Sequence, residues 1–131
     1  MLSIIHWKTP IKADWHRATE LLELNFGKSE KNIKLVEEDT EQVWMLTFES
    51  VQACKITSEE CISIANILPS NGGFFKILDS PWLNELGKGS TDFLDKVEHY
   101  VICCYDEIIE VACTNPTFVK TDDLGYPELV T

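Results

Sequence analysis

The sequence predicts an α+β domain: a mainly antiparallel sheet of about five strands, with two main helices packed on one face and one short helix. Three observations predict this class: a helical repeat of apolar residues near the N-terminus, alternating apolar and polar residues over 42–56, and proline or glycine between the later segments. The chain shows no repeat and no linker. We therefore predict one globular domain over 1–131, with an irregular tail over 115–131.

The first main helix is predicted over 11–26. Thr9-Pro10 is typical of an N-cap followed by proline at the first helical position, where the missing N–H costs nothing. Gly27 is a stop signal. The apolar residues before it recur at helical spacing: Ile11, Trp15, Ala18, Leu22 and Phe26.

Two strands are predicted next, over 32–37 and 42–56, and a polar turn at 38–41 separates them. In the longer strand, apolar and polar residues alternate as in a strand with one buried face. The apolar parity changes after residue 50. We therefore expect a β-bulge or a bend near Glu49 and Ser50.

The second main helix is predicted from Thr57 to about Leu68. Thr57-Ser58-Glu59-Glu60 has the spacing of a capping box, in which Thr57 accepts from a backbone N–H and Glu60 reaches back. The loop-forming run 69–73 ends this helix. A short third strand follows over 74–78, and Ser80-Pro81 then predicts the short helix.

The last two strands, 96–105 and 108–114, are predicted to form a hairpin around Asp106-Glu107. A two-residue turn places Tyr105 opposite Ile108. The turn lacks Gly and Asn, so a longer loop is an open alternative. In the two-residue register, one face collects only apolar or thiol side chains: Tyr100, Ile102, Cys104, Ile109, Val111 and Cys113.

Charge is the strongest global signal, because 22 Asp and Glu face 11 Lys and Arg, giving a formal net charge of −11. Phosphate backbones and anionic lipids would repel this field, so direct nucleic-acid and membrane binding are disfavoured. A basic protein partner is favoured, and solubility alone is the alternative explanation. Five cysteines, an odd number, with no recognisable secretory signal predict reduced thiols in the cytoplasm.

No catalytic, cofactor-binding or metal-binding residues are predicted. His99 and Cys103 share a strand face but are about 13 Å apart, too far for a Cys–His dyad. No zinc-ligand, P-loop or nucleophile-elbow spacing occurs. One alternative stays open: a small enzyme or ligand-binding domain with a pocket between the first helix and the sheet, formed by His99, Cys103 and Glu110.

The acidic turns at 37–41 and 106–107 are the favoured candidates for a partner-binding surface. Hairpins would hold their carboxylates rigidly beside aromatic side chains, and this combination suits the recognition of Arg or Lys. The candidate residues are Glu37, Glu38, Asp39, Glu41, Trp44, Tyr105, Asp106 and Glu107.

A pattern of short segments runs from Trp44 to Ala112: W-M-L-T-F at 44–48, L-D-S-P-W-L at 78–83, H-Y-V-I at 99–102 and I-E-V-A at 109–112. It resembles small uncharacterised bacterial α+β proteins, and such acidic domains are similar in character to immunity proteins of polymorphic-toxin and contact-dependent inhibition systems. The resemblance implies a cytoplasmic, non-enzymatic protein that binds and neutralises a cognate basic toxin domain, such as a nuclease. An adaptor or homo-oligomeric subunit is a further alternative.

Overall fold

The structure is a computed structural model that describes residues 3–61, 64–87 and 92–121, and these residues build one seven-stranded antiparallel sheet. In space the strand order is β1-β5-β6-β7-β4-β3-β2. The strands are β1 Ser3–His6, β2 Thr19–Phe26, β3 Lys31–Glu37, β4 Val43–Ser58, β5 Phe74–Leu78, β6 Glu98–Cys103 and β7 Glu107–Lys120. The helical segments in the described ranges are a 3₁₀ turn at Ile64–Ile67, α1 Pro81–Glu85 and α2 Asp92–Asp95.

The predicted fold class is wrong, because the molecule is mainly β and neither main helix forms. All five predicted strands are present, and β1 and β2 add two more at opposite edges of the sheet. In the described part of the chain, no helix has the length and apolar composition needed to cross a membrane.

The predicted first helix over 11–26 is instead a loop followed by β2, which pairs with β3. The register of this pair shifts between Leu21 and Glu23, so β2 contains a bulge at Leu22. A bulge inserts one residue into the alternation of a strand. Leu21 and Leu24 therefore both pack on the core although they are three residues apart, and their spacing mimics that of a helix.

The predicted helix from Thr57 to Leu68 is wrong for a different reason. Thr57 pairs with Ile108 and Ser58 pairs with Glu107, so β4 continues through the first half of the apparent capping box. The partner strand β7 gives this backbone a continuous ladder, and long-range pairing overrides the local capping signal. Among the residues that the structure describes between Ser58 and Leu68, only the 3₁₀ turn at 64–67 is helical.

Two local predictions are confirmed. The register between β4 and β7 shifts on both sides of Glu49, and Ser50 has a positive φ of 50°, as a bulge near these residues requires. Helix α1 begins with Pro81, and the Ser80 hydroxyl accepts a hydrogen bond from the Leu83 N–H at 3.3 Å. Ser80 is therefore the N-cap that the sequence predicts.

The β6–β7 hairpin keeps the predicted faces in a different register. Cys103, rather than Tyr105, opposes Ile108, and the loop is longer than two residues. The Cys104 N–H closes this loop by donating to the Glu107 carbonyl at 2.8 Å. Because the register differs by an even number of residues, each side chain keeps its face. Strand β7 also runs to Lys120, through the first part of the predicted irregular tail; residues 122–131 lie outside the described ranges.

One face of the sheet carries the main hydrophobic core, and the segment around Trp7 and Ile11 packs against it. The sheet coils until the start of β2 meets the end of β6. Here the Tyr105 N–H donates to the Thr19 carbonyl at 2.8 Å, and the Thr19 hydroxyl donates to the Cys103 carbonyl at 3.1 Å. The core side chains with no solvent exposure are Ile33, Leu35, Leu46, Ile102, Ile109, Val111 and Cys113.

The opposite face is covered by two smaller apolar clusters. One contains Phe75, Cys103 and Ile108 and packs against the segment around Leu68, and the other gathers around Leu83 of α1. Strand alternation places His99 and Glu110 on this same face, between the two clusters.

Candidate functional site

The first acidic turn divides into an inward pair and an outward group. Glu37 and Trp44 are buried, and the Trp44 indole N–H donates to a Glu37 carboxylate oxygen at 2.5 Å. These two predicted binding residues therefore support the turn from inside. Glu38, Asp39 and Glu41 are exposed, and the Glu41 N–H donates to the Glu37 carbonyl at 2.8 Å, which closes the turn.

The second acidic turn contains Tyr105, Asp106 and Glu107. The Tyr105 side chain is 42% exposed, and the Glu59 N–H fixes the turn by donating to the Asp106 carbonyl at 2.8 Å. Partial burial raises the pKa of Glu107, and the carboxylates of Asp106 and Glu20 raise it further, whereas a hydrogen bond to the Asp106 backbone lowers it. Negative charges are therefore crowded here.

The two turns converge on the start of β2. The Glu38 N–H donates to the Ala18 carbonyl at 3.0 Å, and the Tyr105 N–H donates to the Thr19 carbonyl at 2.8 Å. Residues 18 and 19 thus lie between the two predicted binding turns. We call the exposed and half-exposed carboxylates around this point the acidic edge: Glu20, Glu38, Asp39, Glu41, Asp106 and Glu107.

Arg17 lies beside the acidic edge, but its charge is already matched. Its guanidinium binds both carboxylate oxygens of Glu59, at 3.1 and 2.6 Å, and its carbon is 4.8 Å from the centre of the Tyr105 ring. The hydrogen bond to Glu59 raises the pKa of Arg17. Glu59 is therefore the main partner of this cation, and the Asp106 carboxylate of the acidic edge also interacts with it and raises its pKa.

A buried polar cluster lies on the face of the sheet that α1 covers. The Ser80 hydroxyl is 2.7 Å from His99 Nδ1, and His99 Nε2 is 2.9 Å from a Glu110 carboxylate oxygen. The three residues are 2%, 3% and 5% exposed. We assign the ring proton to Nε2, because a carboxylate accepts hydrogen bonds there and the Ser80 hydroxyl can donate to the other nitrogen. In the neutral ring, Nδ1 is then the acceptor that faces Ser80.

This cluster forms the floor of an open groove of about 460 Å³. The Trp82 ring stands edge-on to the His99 ring with their centres 4.8 Å apart, and Lys55 Nζ lies 4.3 Å from the centre of a Trp82 ring. The groove therefore combines polar groups below with a largely apolar wall. The wall and rim residues are Lys55, Thr57, Ile64, Ile67, Trp82 and Glu85.

The pocket predicted from His99, Cys103 and Glu110 is formed only in part. The first helix that was to cover it does not exist, and Cys103 packs with apolar neighbours away from the other two residues. Burial raises the pKa of the Cys103 thiol to about 12, which removes it as a nucleophile. Ser80, rather than Cys103, is the third residue of the cluster. The sequence did not reveal this role, because a predicted helix cap already accounted for a serine at this position.

The described ranges contain no group of three or more His, Cys, Asp or Glu side chains that could hold a metal ion. The five cysteines are free thiols. Burial raises the pKa of Cys113 to about 12, and Glu98 and Cys54 add to this effect. Burial also raises the pKa of Cys54 to about 11, and here the Glu110 charge adds to the effect.

No protein-family model matches this chain, and no curated protein or solved structure matches it either.

Proposed function

We propose that this chain is a protein-binding domain that docks a basic surface of its partner on the acidic edge. The observation that carries the proposal is the convergence of the two acidic turns on residues 18 and 19, through the backbone hydrogen bonds from Glu38 and Tyr105. This convergence joins two separate acidic stretches of the sequence into one surface. A surface of that kind attracts cations from a distance and orients them on contact.

The energetics of the edge favour a cationic partner. The pKa of Glu107 is raised by partial burial and by the repulsion of Asp106 and Glu20, so the isolated protein holds these charges at a cost. An Arg or Lys from a partner would relieve that repulsion and form charge-assisted hydrogen bonds. Tyr105 offers an exposed aromatic ring beside the carboxylates, and such rings often anchor protein interfaces.

The partner class follows from charge complementarity together with the resemblance described above. A nuclease domain binds phosphates with Arg and Lys, and a rigid group of carboxylates matches that surface. We therefore infer an immunity-type role in a bacterial cytoplasm, in which this chain covers the basic active site of a cognate toxin domain. The net charge of −11 supports steering toward such a partner and away from direct contact with nucleic acid or membrane.

The test compares two double variants with the same total charge. Asp39→Lys with Asp106→Lys changes one exposed residue in each acidic turn, and Glu30→Lys with Glu85→Lys changes two exposed residues outside the edge. Each pair replaces two negative charges with two positive charges and changes the net charge from −11 to −7. The partner assayed is the product of the adjacent gene, and the readouts are its affinity for the purified chain and growth on co-expression.

We expect the edge variant to lose affinity by about 100-fold and to lose protection of growth, because lysines replace carboxylates that contact the partner. The matched control should lose less than about threefold. Equal losses in both variants would reduce the effect to net charge and contradict the edge. A wild-type chain that neither binds the neighbouring product nor restores growth would contradict the immunity role.

A further inference from the structure

The buried cluster beneath α1 has the geometry of an activated serine. We propose that Ser80 is a nucleophile at the floor of the groove, with His99 as its general base and Glu110 as the residue that positions the base. Its substrates would be small esters with an apolar acyl group. This site lies apart from the acidic edge and does not depend on the proposed binding function.

The two distances in the cluster fit these roles. The nucleophile and base are 2.7 Å apart, and the base and its orienting carboxylate are 2.9 Å apart, both within hydrogen-bond reach. Glu110 holds the proton on Nε2, so Nδ1 is free to take the proton of the Ser80 hydroxyl. The same carboxylate would stabilise the imidazolium that forms when the proton moves.

A purely structural role explains only part of this arrangement. As an N-cap, Ser80 needs only the Leu83 N–H, which it already accepts. The cap does not require a histidine and a glutamate, and burying two ionisable side chains costs free energy that apolar residues would not.

The groove defines the class of substrate. Ile64, Ile67 and Trp82 form an apolar wall that suits a short acyl chain, and Lys55 lies at the polar rim. A volume of about 460 Å³ is within the usual range for small-molecule sites. Ser80 itself is only 2% exposed, so few ester molecules reach its hydroxyl. We therefore expect slow acylation.

The reaction begins when Ser80 Oγ attacks the carbonyl carbon of the ester, forming a new C–O bond while His99 Nδ1 takes the hydroxyl proton. The bond to the leaving alkoxide then breaks, and that oxygen takes the proton from His99. The products are acyl-Ser80 and an alcohol. Water, deprotonated by the same nitrogen, hydrolyses the acyl-serine to a carboxylic acid and restores Ser80.

The experiment treats the purified full chain with p-nitrophenyl acetate, follows nitrophenolate release and maps the acetyl group by peptide mass spectrometry. We expect acetylation at Ser80 and its loss in Ser80→Ala. Glu110→Gln should slow acetylation about 10- to 100-fold in protein that remains folded by circular dichroism, because the base loses its orienting charge. Ser70→Ala removes an exposed serine outside the groove and should leave the rate unchanged.

Acetylation of the wild-type chain tests the proposal even if Ser80→Ala fails to fold. Acetyl groups confined to lysines, or a rate at Ser80 no higher than at Ser70, would overturn the proposal. Equal rates for folded Glu110→Gln and wild type would also overturn it, since a cluster that only supports α1 has no reason to change the reactivity of Ser80.

Discussion

Glu107 and Glu110 lie on the same strand, β7, but their surroundings are opposite. Glu110 is 5% exposed and accepts a hydrogen bond from a histidine inside the molecule. Glu107 is partly exposed at the acidic edge, where Asp106 and Glu20 repel it. Burial alone therefore does not determine whether a carboxylate is stabilised. The more buried Glu110 has a hydrogen-bonding partner in its own side-chain cluster, whereas Glu107 lies beside two other carboxylates.

This difference separates the two candidate sites of the molecule. The polar side chains at the floor of the groove find their hydrogen-bond partners within the same chain, because His99 bonds to both Ser80 and Glu110. In the proposed function, the acidic edge instead receives cations from another molecule. Substitutions in the groove should therefore act mainly on folding stability and on serine reactivity, whereas substitutions at the edge should act mainly on association.

The largest effect is expected for Glu110→Leu. The substitution leaves the buried Nε2–H of His99 without an acceptor, so we expect the free energy of unfolding to fall by about 2–4 kcal/mol in urea titrations. Glu110→Gln keeps an acceptor and should cost about 1 kcal/mol. Adding His99→Leu to Glu110→Leu should recover part of the loss. A stable Glu110→Leu protein would show that the chain does not depend on this contact.

A smaller effect is expected for Trp44→Phe. This change removes the indole N–H that binds the buried Glu37 carboxylate, and the unpaired group should cost about 1–3 kcal/mol of unfolding free energy. Glu37→Gln retains an oxygen acceptor and serves as the control, with a cost below about 1 kcal/mol. An unchanged midpoint of thermal unfolding for Trp44→Phe would mean that this hydrogen bond does not hold the first acidic turn.

The sequence predicted much of the sheet because strand alternation is a local signal. The β6–β7 faces, the bulge near Glu49 and the cap at Ser80 all follow from neighbouring residues. The helices were wrong where a long-range partner decided the outcome. A bulge gave β2 a helix-like spacing around Leu22, and pairing with β7 overrode the capping box at Thr57.

The candidate site was also predicted only where its signals are local in the sequence. The acidic turns were visible in the sequence, but their convergence depends on β2, which was predicted as part of a helix. The cluster of Ser80, His99 and Glu110 depends on β5 pairing with β6 and on β6 pairing with β7. No sequence spacing links a cap serine to two residues on other strands, so Ser80 could be recognised only as a cap.

The smallest effect is expected for Glu107→Gln, and its sign tests the comparison directly. A carboxylate with a raised pKa in the folded protein contributes stability below its unfolded pKa of about 4.3, and this contribution is lost as pH rises through the folded pKa. Removing the charge should therefore stabilise the protein at pH 7. We expect a gain of less than about 1 kcal/mol, because a partly exposed carboxylate is screened by solvent.

Urea unfolding of Glu107→Gln and wild type at pH 7 and at about pH 4 measures this difference, with the exposed Glu30→Gln as the control that should change little at either pH. The gain should shrink at the lower pH, where wild-type Glu107 is itself protonated. A loss of stability at pH 7 would mean that the hydrogen bond to the Asp106 backbone outweighs burial and the repulsion of Asp106 and Glu20. The contrast with Glu110 would then disappear, and with it the reason that the acidic edge needs a cation from outside.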